Sequence, residues 1–335
     1  MDSQSCKTSS TFAPHHLVNK LVYHLHTAFL FTKSDIKTTL IPIVSRCDIM
    51  RRSKFSDSTF FSKTFFAAAA APITDIARLP HVMFWIWLHL LQFDVSNQTM
   101  SPEEDELNKR DRPLPSKRLT LEQAIHLRYL LVPACFLLSL AYSVEALYAS
   151  VALVFLTFLY DEFGAHSSHW IIRNAVNAFG FAAFEAGATL LAGTSYLFFL
   201  YILTHLPSSP SNPGRNPHRL HNIGILAICF SAGIFATTIQ AQDFKDEEGD
   251  RTIGRKTIPI MFPSIGRYTV IVPMLAWSVG LSVVWGLDIL TSIVFVCLAL
   301  WVGGRFVALR SVPADQVTFY WYNVSVYSYT SFSGL

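Results

Sequence analysis

Two stretches of this sequence gather carboxylates in patterns suited to a divalent cation. The denser one is Asp243-Phe-Lys-Asp246-Glu247-Glu248-Gly-Asp250-Arg251. Asp243, Asp246, Glu247 and Asp250 follow i, i+3, i+4, i+7 spacing, so a continuous helix would put them on one face. Like charges placed this way repel each other. A cation would relieve the repulsion, and Mg²⁺ takes oxygen ligands that it shares between carboxylates and phosphates. A solvated charged loop is the plain alternative. The other stretch is Asp94-Val-Ser-Asn97-Gln98-Thr-Met-Ser101-Pro102-Glu103-Glu104-Asp105. Asn97, Ser101 and Asp105 are spaced four apart, with Glu104 beside them, which again places them on one face of an unbroken helix. A second reading stays open there: Ser101 as cap, Pro102 in the first turn and Glu104 third after the cap describe the start of a new helix.

Each acidic stretch is followed by basic residues: Lys109 and Arg112 after the first, Arg251 and Lys256 after the second. Carboxylates hold Mg²⁺, while Arg and Lys hold diphosphate oxygens. The reaction that suits this pairing is departure of pyrophosphate from an allylic carbon, with the metal neutralising charge on the leaving group. The remaining carbocation needs a dry pocket with aromatic faces. Phe84, Trp85, Trp87, Phe93, Tyr160, Phe179, Phe181 and Phe184 are candidates, although packing or lipid contact would explain any one of them.

The elements that carry these residues are membrane spans. The chain has 335 residues, 51% hydrophobic and 15% charged, against roughly 25% charged in a soluble domain. Apolar runs near the ~20 residues of a bilayer span recur at 81–97, 123–142, 144–160, 171–190, 192–206, 221–240, 266–286 and 289–307. A broken run lies at 28–72 and an incomplete one follows Val317. The expected fold is all-α, a polytopic bundle of about nine transmembrane helices, because lipid offers backbone groups no other partner and the runs lack barrel alternation. Residues 1–25 are expected to be a polar tail, residues 26–335 one transmembrane domain, and residues 207–219 a Pro- and Ser-rich linker. The five cysteines show no zinc or disulfide spacing.

Residues 44–63 cut a polar, basic insert into the first apolar run. Joining Ile43 to Thr64 restores a continuous apolar helix. Valine codons begin with GT and a lysine codon can end in AG, so a retained short intron is one reading and a real cytosolic loop the other. Residues 324–335 raise the same question, since they too begin with valine where the last span is cut short; a real, short terminal helix is the other reading. Sequencing the transcript separates them.

At the acidic stretches the sequence resembles the UbiA superfamily of intramembrane prenyltransferases, from about Lys33 to Asn323. Asp243, Asp246 and Asp250 with Gly254-Arg255-Lys256-Thr257-Ile258-Pro259 match its second motif. Asp105 with Asn108-Lys109-Arg110-Asp111-Arg112-Pro113-Leu114-Pro115-Ser116 matches the tail of the first. At the front of that motif Asn97 is kept, but Gln98 and Ser101 stand where the family has aspartates, a variant that looks like a fungal branch with membrane-bound terpene cyclases. The resemblance implies helices around a central cavity and Mg²⁺ as cofactor. It also implies metal ligands at Asn97, Glu104, Asp105, Asp243, Asp246 and Asp250; of these, Asn97 and the four aspartates carry catalysis. Tyr160 fits the family's middle tyrosine, and Arg173 stands in for a lysine expected nearby. Glu185 lies inside an apolar run, where an ionisable residue is a functional candidate by default; an interhelical hydrogen bond is its other reading.

Three functions remain in view. One is cyclisation of a prenyl diphosphate of the farnesyl or geranylgeranyl class. The second is transfer of the prenyl group to an aromatic or other acceptor. The third is a non-enzymatic transporter or lipid-binding protein, against which the paired acidic stretches argue, since transport sites usually sit near the bilayer midplane. The expected partners are the prenyl diphosphate and the lipid bilayer, with an aromatic acceptor in the second case and no nucleic acid. Basic residues crowd 109–118 and 245–256, so both loops are expected on the cytosolic side of an endomembrane such as the endoplasmic reticulum.

Overall fold

The computed structural model describes residues 13–40, 78–100, 102–193, 222–252 and 254–331. Among these there is no strand. Nine helices have seventeen residues or more: α1 (Ala13–Thr32), α2 (Leu79–Met100), α4 (Leu121–Leu140), α5 (Val144–Asp161), α6 (Trp170–Gly193), α7 (Asn222–Thr238), α10 (Tyr268–Val284), α11 (Ile289–Ala308) and α12 (Val312–Ser331). Three short ones, α3 (Pro102–Asn108), α8 (Glu247–Thr252) and α9 (Ile258–Met261), lie between them. The insert at 44–63, the run at 192–206 beyond residue 193, the 207–219 linker and Ser101 lie outside the described residues.

Among the described residues, five helical stretches are long and apolar enough to cross a membrane: Leu121–Leu140, Val144–Asp161, Trp170–Ala192, Gly224–Gln242 and Ile289–Ala308. Their outer faces carry exposed apolar side chains such as Leu130, Leu137, Tyr148, Phe155, Ile289 and Leu290. In water such faces would associate; in a bilayer they meet acyl chains. The chain is an integral membrane helical bundle.

Local chemistry sets the helix starts. Thr120 and Gln123 form a reciprocal capping box at α4, Ser143 caps α5, and Asp288 caps α11 through the Leu290 and Thr291 amides. Each cap satisfies donors that a helix start leaves open. Packing between helices depends on close approach. Gly187 of α6 faces the buried Trp85 of α2, whose ring would lie 2.0 Å from an added Cβ. Gly303 of α11 meets Ile271 of α10 in the same way.

One expectation changes. Residues 13–25 belong to α1 rather than to a loose tail. Leu17, Val18, Leu21, Val22 and Leu25 give this segment an apolar stripe, and all are exposed, as on a helix that meets lipid. At the other end, residues 324–331 continue α12, with Ser325 and Val326 buried.

Candidate active site

A cavity of about 910 Å³ opens among α1, α2, α5, α6, α7 and α12. Its deeper wall is apolar and aromatic: Leu90, Phe93, Leu153, Phe181, Phe184 and Phe235. Phe181 stacks on Phe235 with centroids 4.2 Å apart. At the mouth the lining turns charged, and both acidic stretches contribute: Asn97 and Asp105 from the first, Asp246 and Asp250 from the second. The short helices α3 and α8, which carry Asp105 and Asp250, pack against each other.

The first stretch is two helices rather than one. α2 ends at Met100 and α3 begins at Pro102, so Asn97 and Asp105 reach the mouth from separate elements. The amide nitrogen of Asn97 donates to Asp161 at 3.2 Å, which leaves its amide oxygen for the cavity. Asp161 also accepts from Ser96. Asp105 is buried and accepts from Arg112 through both oxygens, at 2.8 and 3.0 Å. Arg112 is buried with it, and the surrounding carboxylates, Asp105 foremost, hold its guanidinium above its ordinary value against the opposing effect of burial. Lys109 also lines the mouth. On the rim Lys33 pairs with Asp111 at 2.7 Å and draws that carboxyl below its usual range. The helix carrying Glu104 is described; its side chain is not.

The second stretch is likewise interrupted. A 3₁₀ turn, Ile239–Gln242, follows α7, and a further turn precedes α8. The single face implied by the spacing therefore splits. Asp246, Glu248 and Asp250 line the cavity. Glu247 turns outward and pairs with Arg251 one turn on. Asp243 is 2% exposed and accepts from Arg173 at 2.7 Å. Burial pushes the Asp243 carboxyl up, and Arg173 opposes the push. Asp250, paired with Arg255 at 2.9 Å, is also raised by burial. Asp246 is nearly half exposed and pairs with Lys245.

Among the expected anion-binding side chains, Arg251 and Lys256 are misplaced. Both are exposed and neither lines the cavity. Arg255 takes the position instead. The cause is Gly254, whose φ of +73° is a left-handed conformation that suits glycine; it turns the chain back after α8 so that Arg255 reaches Asp250. Tyr160 and Arg173 line the cavity, and Tyr160 lies against Phe93 at 5.7 Å. Glu185 does not belong to the lining; it bridges α6 and α7, accepting from Ser231 at 2.7 Å. Phe84 and Phe179 are exposed, and Trp85 is packed in the core.

The mouth thus carries paired charges, Asp105 with Arg112, Asp250 with Arg255 and Asp246 with Lys245, while Asp243 lies outside the lining and is held behind it by Arg173. Among the described residues no three acidic, histidine or cysteine groups form a ready metal site, and Asp105, Asp246 and Asp250 each pair with a cation of the protein itself. The donors suit a hard cation nonetheless. They are oxygens only, and one of them, Asp94 Oδ2, is buried without a hydrogen-bond partner. Sequence reasoning passed over Asp94, Asp35, Asp161 and Arg255 as site residues. Asp94 did leave a signal, as a carboxylate within an apolar run.

A sequence model of the UbiA prenyltransferase family matches residues 58–324. The fumagillin beta-trans-bergamotene synthase of Aspergillus fumigatus is 29% identical over 89% of this chain and 88% of its own length. Diterpene cyclase eriG of Hericium erinaceus is 27% identical over 72% of this chain and 74% of its own. Among solved structures, a UbiA homologue from Archaeoglobus fulgidus bound to GPP and Mg²⁺ is similar in fold, with a TM-score of 0.58 at 11% identity, covering 92% of this chain and 99% of that one. With most of its length matched by the family, a helical bundle of the same fold and charged clusters meeting over a greasy chamber, this chain belongs to the UbiA prenyltransferase family of membrane enzymes.

Proposed function

We propose that this enzyme, with Mg²⁺ as cofactor, ionises a prenyl diphosphate of the farnesyl or geranylgeranyl class and cyclises the resulting cation to a terpene. One observation carries the reading: both acidic stretches and their basic partners meet at the mouth of a single cavity whose deeper wall is aromatic and apolar. Asn97, Asp105, Asp243, Asp246 and Asp250 are the side chains that would hold the metal, which when bound offsets negative charge on the departing diphosphate. Arg112, Arg173, Arg255, Lys109 and Lys245 supply donors to diphosphate oxygens. Arg173 and Arg112 bind through planar forks suited to that group. The deeper chamber excludes water from the prenyl chain, and the faces of Phe93, Tyr160, Phe181 and Phe235 sit where positive charge on that chain would be stabilised. The names of the terpene synthase and the diterpene cyclase among the relatives support cyclisation. The basic side chains around the mouth support a cytosol-facing opening in an endomembrane.

Transfer to an aromatic acceptor is the second reading, supported by the family's own description as prenyltransferases. Incubating microsomes that contain the enzyme with Mg²⁺ and farnesyl or geranylgeranyl diphosphate, with no acceptor, decides between them. A cyclic hydrocarbon is expected. Linear alcohol alone, with adducts once phenols are added, would reject cyclisation.

A further inference from the structure

The face that α6 turns to the cavity carries Arg173, Val176, Asn177, Gly180, Phe181 and Phe184, in the spacing of one helical face. At about 1.5 Å of rise per residue, Gly180 lies roughly 10 Å along the axis from Arg173, and Phe184 roughly 6 Å further. Gly180 is the position on this face that has no side chain. Glycine weakens a helix interior relative to alanine, so its place in the middle of α6 calls for a reason. Elsewhere the reason is contact between helices: an added Cβ would lie 2.0 Å from Trp85 at Gly187, 2.9 Å from Trp277 at Gly233 and 2.5 Å from Ile271 at Gly303. At Gly180 no heavy atom of a described residue lies within 4 Å of the added Cβ. Packing does not ask for a glycine here. Gly280 and Gly304 have the same open space, but neither lines the cavity, and Gly280 is exposed on the outside of α10. The space at Gly180 belongs to the chamber.

We propose that Gly180 is a specificity-determining residue: the room it leaves admits the longer prenyl chains, and a side chain in its place would shorten the chain that the enzyme accepts. The inference rests on the proposed diphosphate chemistry. The charged mouth fixes one end of the substrate, which turns depth in the chamber into a measure of chain length. A geranyl chain ends nearest the mouth. Farnesyl and geranylgeranyl chains add further isoprene units, which must pass position 180 or fold against it. The residues proposed to ionise the substrate lie about two helical turns away, so a group added at position 180 acts on the choice of substrate and leaves the charged residues untouched. A change of one methylene in an apolar pocket discriminates by about 10–200-fold.

The test is a competition between chain lengths. Microsomes that contain the wild-type chain, Gly180→Ala or Gly180→Leu receive Mg²⁺ and geranyl, farnesyl and geranylgeranyl diphosphate together, and loss of each is followed by mass spectrometry. Gly180→Leu is expected to move the ratio of kcat/KM values toward the shorter chains by about tenfold or more, and Gly180→Ala to move it the same way by less. The thermal midpoint of Gly180→Ala in detergent should not fall, since alanine favours the helix and the new methyl group meets no described neighbour. Gly280→Leu should keep the wild-type preference. An unchanged ratio in Gly180→Leu, a shift toward longer chains, an equal shift in Gly280→Leu or a lowered midpoint in Gly180→Ala overturns this inference and leaves the proposed function standing. A wild-type chain that consumes none of the three diphosphates overturns both. If Gly180→Leu does not fold, the ratio in Gly180→Ala carries the decision.

Discussion

Replacing Arg173 by Met removes the partner of a carboxylate that has almost no contact with water. Asp243 is 2% exposed and its bond to Arg173 is 2.7 Å. Breaking a buried pair from one side costs about 3–5 kcal/mol, because the remaining charge is stranded. Asp243 escapes by keeping a proton, in the direction in which burial already pushes it. The signs then oppose each other. In Arg173→Met the folded-state pKa of Asp243 lies further above its unfolded value of about 3.9, so the native state binds more protons and stability falls as pH rises from there through the raised value. Turnover, which needs the carboxylate, rises over the same range. Thermal unfolding in detergent and product formation between pH 5 and 9, on the order of the range over which such buried acids titrate, read the two curves. Asp243→Asn should be inactive at every pH, and the double variant should be more stable than Arg173→Met alone. The coupling energy from the four-protein cycle should be about 2 kcal/mol or more; additivity within ~0.5 kcal/mol would refute the pairing argument, and so would a flat pH profile in Arg173→Met.

Arg255→Ala is expected to raise the apparent KM for the prenyl diphosphate by about tenfold or more, a lost charged contact being worth roughly 1.5–3 kcal/mol, while Arg251→Ala stays near wild type; the reverse order in steady-state kinetics would contradict the role of Gly254. Asp105→Ala and Asp246→Ala should each lower turnover by at least about a hundredfold with membrane insertion intact, as read by turnover and protease protection, and wild-type rates in either would remove its metal role. Gly187→Ala forces a methyl group into the Trp85 ring and should cost about 1–3 kcal/mol, measured as a lower thermal midpoint in detergent; an unchanged midpoint would mean that α2 and α6 have room to part. Phe181→Leu should change the product mixture more than the rate of substrate loss, checked by gas chromatography.

The bundle was legible where hydrophobic runs are clean. The runs at 123–142, 144–160, 171–190 and 289–307 coincide with α4, α5, α6 and α11 within a few residues. The acidic stretches were legible as a composition, but their geometry was not. Spacing rules assume a continuous helix, and both stretches break: the first at Pro102, the second at the 3₁₀ turn before Asp243. That is why Glu247, an in-pattern residue, pairs with Arg251 outside the cavity lining while Glu248 belongs to it. Arg255 and Lys256 are adjacent and similar, so only a backbone angle two residues beyond α8 decides which of them reaches Asp250. Asp35 carries no local signal at all, since only the packing of the turn after α1 brings it to the cavity lining. Residues 13–25 were masked as a tail by their histidines and lysine, which hide an apolar stripe that needs lipid rather than protein to cover it.

The pairing of Asp105, Asp246 and Asp250 with internal cations bears on biogenesis. A domain whose acidic ligands have no other partner needs its metal to assemble, and chelators unfold it. Here arginine and lysine side chains already fill that role, so the helices can insert and pack before any ion arrives. Chelation should then silence the enzyme while leaving its architecture standing, and addition of the ion should restore it without refolding.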